Sequence, residues 1–232
     1  MSDVARVLPW GRDESELIAE LRSGSDEAFS WLVTHYHGHV YGLLYGMLGD
    51  SADAADSTQE VFLKAFRGIQ GFRRGSSLKT WLYRIAVREA LNHKRWHWRH
   101  QRNQTSLDAG RETDANFGEP ENASDTPFDL FAAQEVQQAV QEALQRVPEV
   151  YRTAVILRDL EGLDYYEVAE VLDVSIGTVK SRIMRGRHYL REILEPLLES
   201  RSERLRSSSP QAEKGQIPFH RKLAGFAAGG GR

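Results

Sequence analysis

Apolar residues recur at three- and four-residue steps through most of this chain, the period of a helix with one buried face. Leu17, Ile18 and Leu21 share a face of a first helix that starts near Glu14. Phe29, Leu32, Val33, Tyr36, Val40, Leu43, Leu44, Met47 and Leu48 extend an apolar stripe that opens at Ser25 and is cut by Gly49-Asp50. A third helix is predicted from Asp53 to Phe66, with Val61, Phe62, Ala65 and Phe66 apolar. Arg67 to Ser77 holds Gly68, Gly71 and Gly75 and reads as a loop. Leu78, Trp81, Leu82, Ile85, Ala86 and Leu91 then line a helix ending at Trp98. Further on, Val136, Ala139, Val140, Ala143, Leu144 and Val147 give a strong helical signature, and Pro148 opens the next helix, which reaches Gly162. No stretch carries the two-residue period of a strand, and there is no internal repeat. The pattern predicts an all-α fold.

The last predicted pair of helices is the most specific feature. Between Asp164 and Arg187, Val168, Ala169 and Leu172 line one helix face, Val174 crosses a tight turn, and Val179 and Ile183 line the inner face of a second helix. Small Ala169 permits close approach. Ser175 is placed to cap the second helix, its hydroxyl accepting from a backbone N–H that would otherwise lack a partner. The outward positions are Thr178, Lys180, Ser181, Arg182 and Arg185, side chains suited to phosphates or base edges. This order of small, capping and basic residues reads as a DNA-binding helix-turn-helix rather than a plain helical hairpin with a solvated basic face.

Charge sharpens the picture. The formal net charge is −3, but it is strongly segregated. Ser23 to Leu63 holds six acids and no Lys or Arg. Arg73 to Arg102 holds nine bases against Glu89 alone. Asn103 to Glu142 holds nine acids against Arg111 alone, and Val174 to Arg191 holds five bases and no acid. Two basic blocks separated by an acidic one suggest two places that touch nucleic acid. The chain has no cysteine, which excludes disulfides and thiolate metal sites. No apolar run reaches the ~18 residues of a membrane span, and the N-terminus lacks a signal-peptide core, so a cytoplasmic location without membrane insertion is expected.

The first basic block mixes cations, hydroxyls and aromatics around a glycine loop: Phe72, Arg73, Arg74, Ser76, Lys79, Trp81, Arg84 and Arg88, with Lys94, Arg95 and Arg99 further along. Single-stranded DNA binding uses this combination, because cations track phosphates while aromatic faces or a loop pocket receive unstacked bases. Trp81 serves equally well as core. Histidines 35, 37 and 39, and separately His93, His97 and His100, raise a zinc site, but neither set has a carboxylate or cysteine to complete it. With no phosphate-binding glycine loop and no nucleophile motif, neither an enzymatic activity nor a metal or other cofactor is expected.

Asp53-Ala-Ala-Asp-Ser-Thr-Gln-Glu-Val-Phe-Leu-Lys-Ala-Phe66, followed by Ser77-Leu-Lys-Thr-Trp-Leu-Tyr-Arg-Ile-Ala86, resembles regions 2.2 to 2.4 of the extracytoplasmic-function (ECF) sigma factors of bacterial RNA polymerase. Leu144-Gln-Arg-Val-Pro-Glu-Val-Tyr-Arg-Thr-Ala-Val-Ile-Leu157 and the helix-turn-helix after it resemble region 4. The resemblance implies a sigma factor that brings core polymerase to promoters and helps to melt them. Asp53, Asp56, Gln59 and Glu60 would dock on the clamp helices of the largest polymerase subunit, with region 4 on the flap. The block from Phe72 to Arg88 would hold the non-template strand of the minus-ten element. Ser175, Thr178, Lys180, Ser181, Arg182 and Arg185 would read the minus-thirty-five element. An anti-sigma protein would be a further partner.

The chain departs from the family pattern at four positions: Ala55 replaces a usual Glu, Ser57 a large aliphatic, Arg88 an Asn, and Asp173 the Gly of the turn. The expected organisation is two small helical domains joined by a flexible acidic linker. Residues 1–12 form a tail, 13–102 the region 2 domain, 103–134 the linker, 135–198 the region 4 domain, and 199–232 a disordered basic tail. The rival readings are a conventional helix-turn-helix regulator that binds duplex DNA as a dimer and a zinc hydrolase built on the histidines.

Overall fold

The computed structural model describes the backbone of residues 13–72, 75–101 and 127–208, with side chains described up to 100 in the first part and from 136 to 196 in the second. The expected terminal tail 1–12 and most of the expected linker lie outside the described residues. Among the described residues the elements are all helical: α1 (Glu14–Ser23), α2 (Asp26–Leu48), α3 (Ser51–Gly68), a short 3₁₀ turn (Ile69–Gly71), α4 (Leu78–Gln101), α5 (Pro127–Arg146), α6 (Glu149–Val155), α7 (Tyr165–Leu172) and α8 (Ile176–Ser208).

The punctuation is local chemistry. α1 ends at Gly24, which adopts the left-handed φ of 80° and returns its N–H to the Glu20 and Leu21 carbonyls. Ser25 then caps α2, accepting from Ala28 N at 3.3 Å. α2 closes at Gly49, and Asp50 caps α3 by accepting from Asp53 N at 2.9 Å. α3 buries Ala54, Ser57, Thr58, Val61 and Ala65, so its inner face is unusually small and polar. The Thr58 hydroxyl is satisfied by the Ala54 carbonyl at 2.7 Å; among the described residues the Ser57 Oγ has no hydrogen-bond partner.

α2, α3 and α4 pack mutually, with Leu32, Val40, Leu43, Leu44, Met47, Val61, Leu78, Leu82, Tyr83 and Ala86 fully buried between them and α1 laid across one end. The core does not stop there. It runs on through Leu144, Ala154, Ile156, Leu157, Leu163, Val168, Val179 and Ile183, so the described residues up to Glu195 form one compact unit. Gly46 in α2 makes room for this: a Cβ there would come within 2.8 Å of Ile156 Cδ1.

Polar contacts carry much of the packing of α5 and α6 on α2. Gln141 and Gln145 donate to the Tyr45 and Gly46 carbonyls at 2.6 and 3.0 Å. Arg152 is 7% exposed, and its guanidinium donates to the carbonyls of Gln145 and Val147, at the end of α5, and of Met47, at the end of α2. These are carbonyls that a helix C-terminus leaves without an intrahelical donor, and a cation there also complements the helix dipole.

α6 widens into a single π-turn over Ile156–Leu160, which ends with Glu161 N donating to the Ile156 carbonyl at 3.0 Å. α8 packs on α6 at Gly186, where a Cβ would lie 2.5 Å from Val155 Cγ2 and 3.0 Å from the Tyr151 carbonyl oxygen.

Two element ends differ most from the sequence reading. α5 begins at Pro127, inside the stretch expected as linker, because Pro is well tolerated in a first helical turn. α8 continues through Pro196 to Ser208 instead of stopping at Glu195. Proline removes one backbone donor there, and the Leu-, Glu- and Arg-rich sequence beyond it has high helix propensity.

Candidate nucleic-acid and polymerase interfaces

The helix-turn-helix is assembled by three caps. Asp164 Oδ1 accepts from Tyr166 N and Glu167 N, both at 2.8 Å, while Glu167 Oε2 accepts from Asp164 N at 2.8 Å, a reciprocal capping box. At the turn Asp173 is left-handed (φ 53°, ψ 51°), and its N–H bonds back to the Ala169 carbonyl. Ser175 Oγ accepts from Thr178 N at 3.2 Å and starts α8. Val168, Val171, Val179 and Ile183 are buried between the two helices, with Ala169, Leu172 and Val174 partly covered.

The six residues expected to read duplex DNA fall into two groups. Ser175, Thr178 and Ser181 are joined by local bonds: Ser175 Oγ to Thr178 Oγ1 at 2.9 Å, and Ser181 Oγ donating to the Thr178 carbonyl at 2.9 Å. Lys180 and Arg185 are exposed and Arg182 is half-buried. Arg185 rests against Tyr151, donating to its hydroxyl at 3.1 Å, and Lys180 stands 6.0 Å from the Tyr165 ring centre. Among the described residues Arg182 has no hydrogen-bond partner.

The same helix carries cations that the sequence reading left out. Arg187, His188 and Arg191 line a cleft of about 350 Å³ with Tyr165, Lys180, Ile183 and Met184. Arg187 is fixed there by a two-pronged pair with Asp159, at 2.9 and 2.5 Å. Their spacing from Lys180, seven to eleven positions along one helix, was the available signal.

The block expected to hold single-stranded DNA is more dispersed. Phe72 is 2% exposed and packs edge-on against the Trp81 ring at 5.3 Å. It is therefore a core residue beneath the loop, because the chain turns inward there to close the end of α1–α4. Its carbonyl accepts from the Arg22 guanidinium. Trp81 is half-buried beside Gly68, Ser76 is half-buried, and Arg88 is exposed. Arg73 and Arg74 lie outside the described residues.

Three further cations of α4 are engaged by the segment 149–170. Lys79 Nζ donates to the Glu161 carbonyl at 2.9 Å, Arg84 pairs with Glu170 at 2.6 Å, and Lys94 pairs with Glu149 at 3.2 Å. Glu161 itself is 9% exposed. Its Oε2 accepts from Tyr83 Oη at 2.6 Å and faces His39 Nδ1 at 3.1 Å. Burial, followed by the neighbouring Glu161 charge, pushes the Tyr83 phenol far above its ordinary value, so it remains a donor.

On α3 the expected docking residues Asp56, Gln59 and Glu60 are exposed along one side of the helix. Asp53 is half-buried and faces His93 Nε2 at 3.5 Å. Leu63 and Phe66, 45% and 53% exposed, extend the same surface with apolar area. The sequence reading gave Phe66 only as an apolar residue of this helix, and its spacing from Gln59 and Leu63 places it on the same side. The histidines are dispersed: His35 stacks on Trp31, His37 on Phe62, and His100 on Trp96. Among the described residues no three His, Asp or Glu side chains gather as a metal-binding group, and no helix is long and apolar enough to cross a membrane.

Known proteins align with this arrangement. The family model for Sigma-70 region 2 matches residues 32–100, and that for Sigma-70, region 4 matches residues 137–190. The RNA polymerase sigma-H factor of Pseudomonas aeruginosa is 36% identical over 188 residues, covering 80% of this chain and 95% of the relative. The ECF RNA polymerase sigma-E factor of Escherichia coli is 35% identical over 182 residues, covering 78% and 94%. The chain belongs to the ECF sigma factors. This sigma factor also shares its fold with two solved structures. One is the sigma factor RpoE in complex with the anti-sigma factor NepR from Bartonella quintana, with a TM-score of 0.58, 24% identity, and 72% of this chain and 96% of that chain covered. The other is CnrH in complex with the cytosolic domain of CnrY, with a TM-score of 0.59, 21% identity, and 79% and 97% covered. A helix-turn-helix regulator would account for the second family match but not the first.

Proposed function

We propose that this sigma factor binds core RNA polymerase in the cytoplasm, carries it to its promoters as a dissociable, non-catalytic subunit, and stabilises melted DNA by holding the non-template strand. Residues 13–102 form the core-binding and minus-ten domain, and 135–198 the minus-thirty-five domain. Asp56, Gln59 and Glu60, with Leu63 and Phe66, dock on polymerase; Asp53 contributes to the same acidic surface. Ser76, Lys79, Trp81, Arg84 and Arg88, with Arg73 and Arg74, hold the minus-ten strand, and Phe72 supports that loop from beneath. Lys180, Arg182 and Arg185 contact duplex DNA, and Ser175, Thr178 and Ser181 set the geometry of the helix that presents them.

The observation that supports this best is the helix-turn-helix of the region 4 match, with Lys180 and Arg185 exposed, in one chain with a region 2 acidic face. An anti-sigma partner is proposed because the similar sigma factor RpoE was solved in complex with the anti-sigma factor NepR. The test is transcription with purified core polymerase. Addition of the chain should give specific run-off products from promoter templates that core alone does not transcribe; no product from any template in a genomic library would refute the reading.

A further inference from the structure

The contact between segment 149–170 and α2–α4 uses the same cations that the reading above assigns to the minus-ten strand. Lys79 and Arg84 are both held by it, through Glu161 and Glu170. Its centre is polar, with Tyr83 and Glu161 buried and the His39 side chain, 57% exposed, at its edge. The Glu161 carboxylate, whose side chain is 7% exposed, takes one hydrogen bond from a fully buried tyrosine of α4 and one contact from a histidine of α2. A Cβ on Gly42 would lie 3.7 Å from Glu161 Oε1, so α2 presents a smooth surface to this carboxylate. Once the segment moved away, water would reach the buried Tyr83 hydroxyl, exposed His39 would lose its carboxylate partner, and Lys79 and Arg84 would lose the Glu161 carbonyl and the Glu170 carboxylate.

We propose that Glu161 is an internal latch: by joining Tyr83 and His39 it stabilises a closed form of the chain in which Lys79 and Arg84 are withheld from single-stranded DNA. The withholding rests on the minus-ten assignment of those two residues; the latch itself rests on the geometry. The groups around His39 give the latch a pH sense. Glu161 raises the imidazole above its ordinary 6.5 through the hydrogen bond and its charge, while burial and Lys79 of α4 oppose this, and His35 lies on the same helix. A group whose pKa is raised in the closed form stabilises that form fully below its unperturbed value and ceases to do so as pH rises through the raised one. The closed form is therefore favoured below pH 6.5 and weakens as pH rises through the raised value.

The absence of cysteine makes the test direct. A fluorophore pair placed through Leu63→Cys and Tyr166→Cys, both exposed sites, reports closing by energy transfer in the full chain. Tyr83→Phe keeps the ring and removes the hydroxyl; Glu161→Gln keeps the shape and removes the charge. Each should lower the closed-to-open ratio roughly tenfold, the effect of one lost buried hydrogen bond to a charged group. Wild type should close further between about pH 8 and pH 6, and His39→Gln should abolish that dependence. Variants that keep native helicity and show wild-type transfer at both pH values would overturn the latch. Binding of a fluorescent single-stranded non-template oligonucleotide provides a separate arm, since apparent affinity rises with the open fraction. Opening by energy transfer without a gain in oligonucleotide affinity would leave the latch standing and refute the minus-ten assignment of Lys79 and Arg84.

Discussion

Arg152 Nη1 donates to the Met47 carbonyl at 3.0 Å across 105 residues of sequence. One guanidinium thereby closes the last turn of α2 and, through Gln145 and Val147, the end of α5. Its burial disfavours the charge, which Glu149 partly offsets, so the site is stable only while all its acceptors are in place. Arg152→Met should cost about 2–4 kcal/mol in denaturant unfolding, since it leaves buried carbonyls unpaired. Arg152→Lys should recover only part of that, because a single ammonium cannot fork to three carbonyls.

Ser57 gives a prediction of opposite sign. Its hydroxyl is buried, 3% exposed, and has no hydrogen-bond partner among the described residues. Ser57→Ala should leave stability unchanged or raise it by up to about 1 kcal/mol. A loss in thermal unfolding would mean that the hydroxyl has a partner, such as bound water.

The turn of the helix-turn-helix should also accept improvement. Asp173 occupies the left-handed region that glycine adopts without Cβ strain. Asp173→Gly should stabilise the fold by about 0.5–1 kcal/mol, and Asp173→Val should destabilise it by more. Calorimetry of the two variants checks the order.

Arg182 is held by no other described side chain and lies on the helix proposed to meet duplex DNA. Arg182→Ala should weaken binding to upstream-element duplex by about 1–3 kcal/mol and leave single-strand binding intact. Gel-shift titrations on both substrates separate these; equal losses would remove the assignment.

Asp56 and Glu60 are exposed on α3, whereas Asp53 is engaged with His93. Asp56→Lys with Glu60→Lys should lower the affinity for core polymerase in a salt-sensitive way, with circular dichroism unchanged. Normal competition for core would show that this surface does not dock.

The helices and their caps were legible because each depends on residues close in sequence. Ser25, Gly49, Asp173 and Ser175 act within four positions of themselves, and the apolar stripes of α2 and α4 have their own period. What could not be read was the contact of 141–170 with α2 and α4. It is built from Gln141, Gln145, Arg152, Glu161 and Tyr83, mostly polar residues that in a sequence look like solvated surface and have no periodicity. Their acceptors are largely backbone carbonyls, which every residue carries. The π-turn at 156–160 was hidden for a related reason: one extra residue in a helix leaves the local composition unchanged. Phe72 was misread because a phenylalanine beside arginines and glycines fits a base-stacking loop as well as a loop's anchor.

Position 186 sets a limit on how α8, the helix proposed to meet duplex DNA, can be re-engineered. α8 lies so close to α6 there that even a methyl group would meet Val155 and the Tyr151 backbone. Libraries that seek new promoter preferences can vary Lys180, Arg182 and Arg185 while keeping buried Val179 and Ile183, since those changes alter what the helix displays and not where it rests. A library that reaches Gly186 would shift the helix axis and move every reading residue together. Clones selected from it would differ in docking register, and their preferences could not be traced to individual side chains.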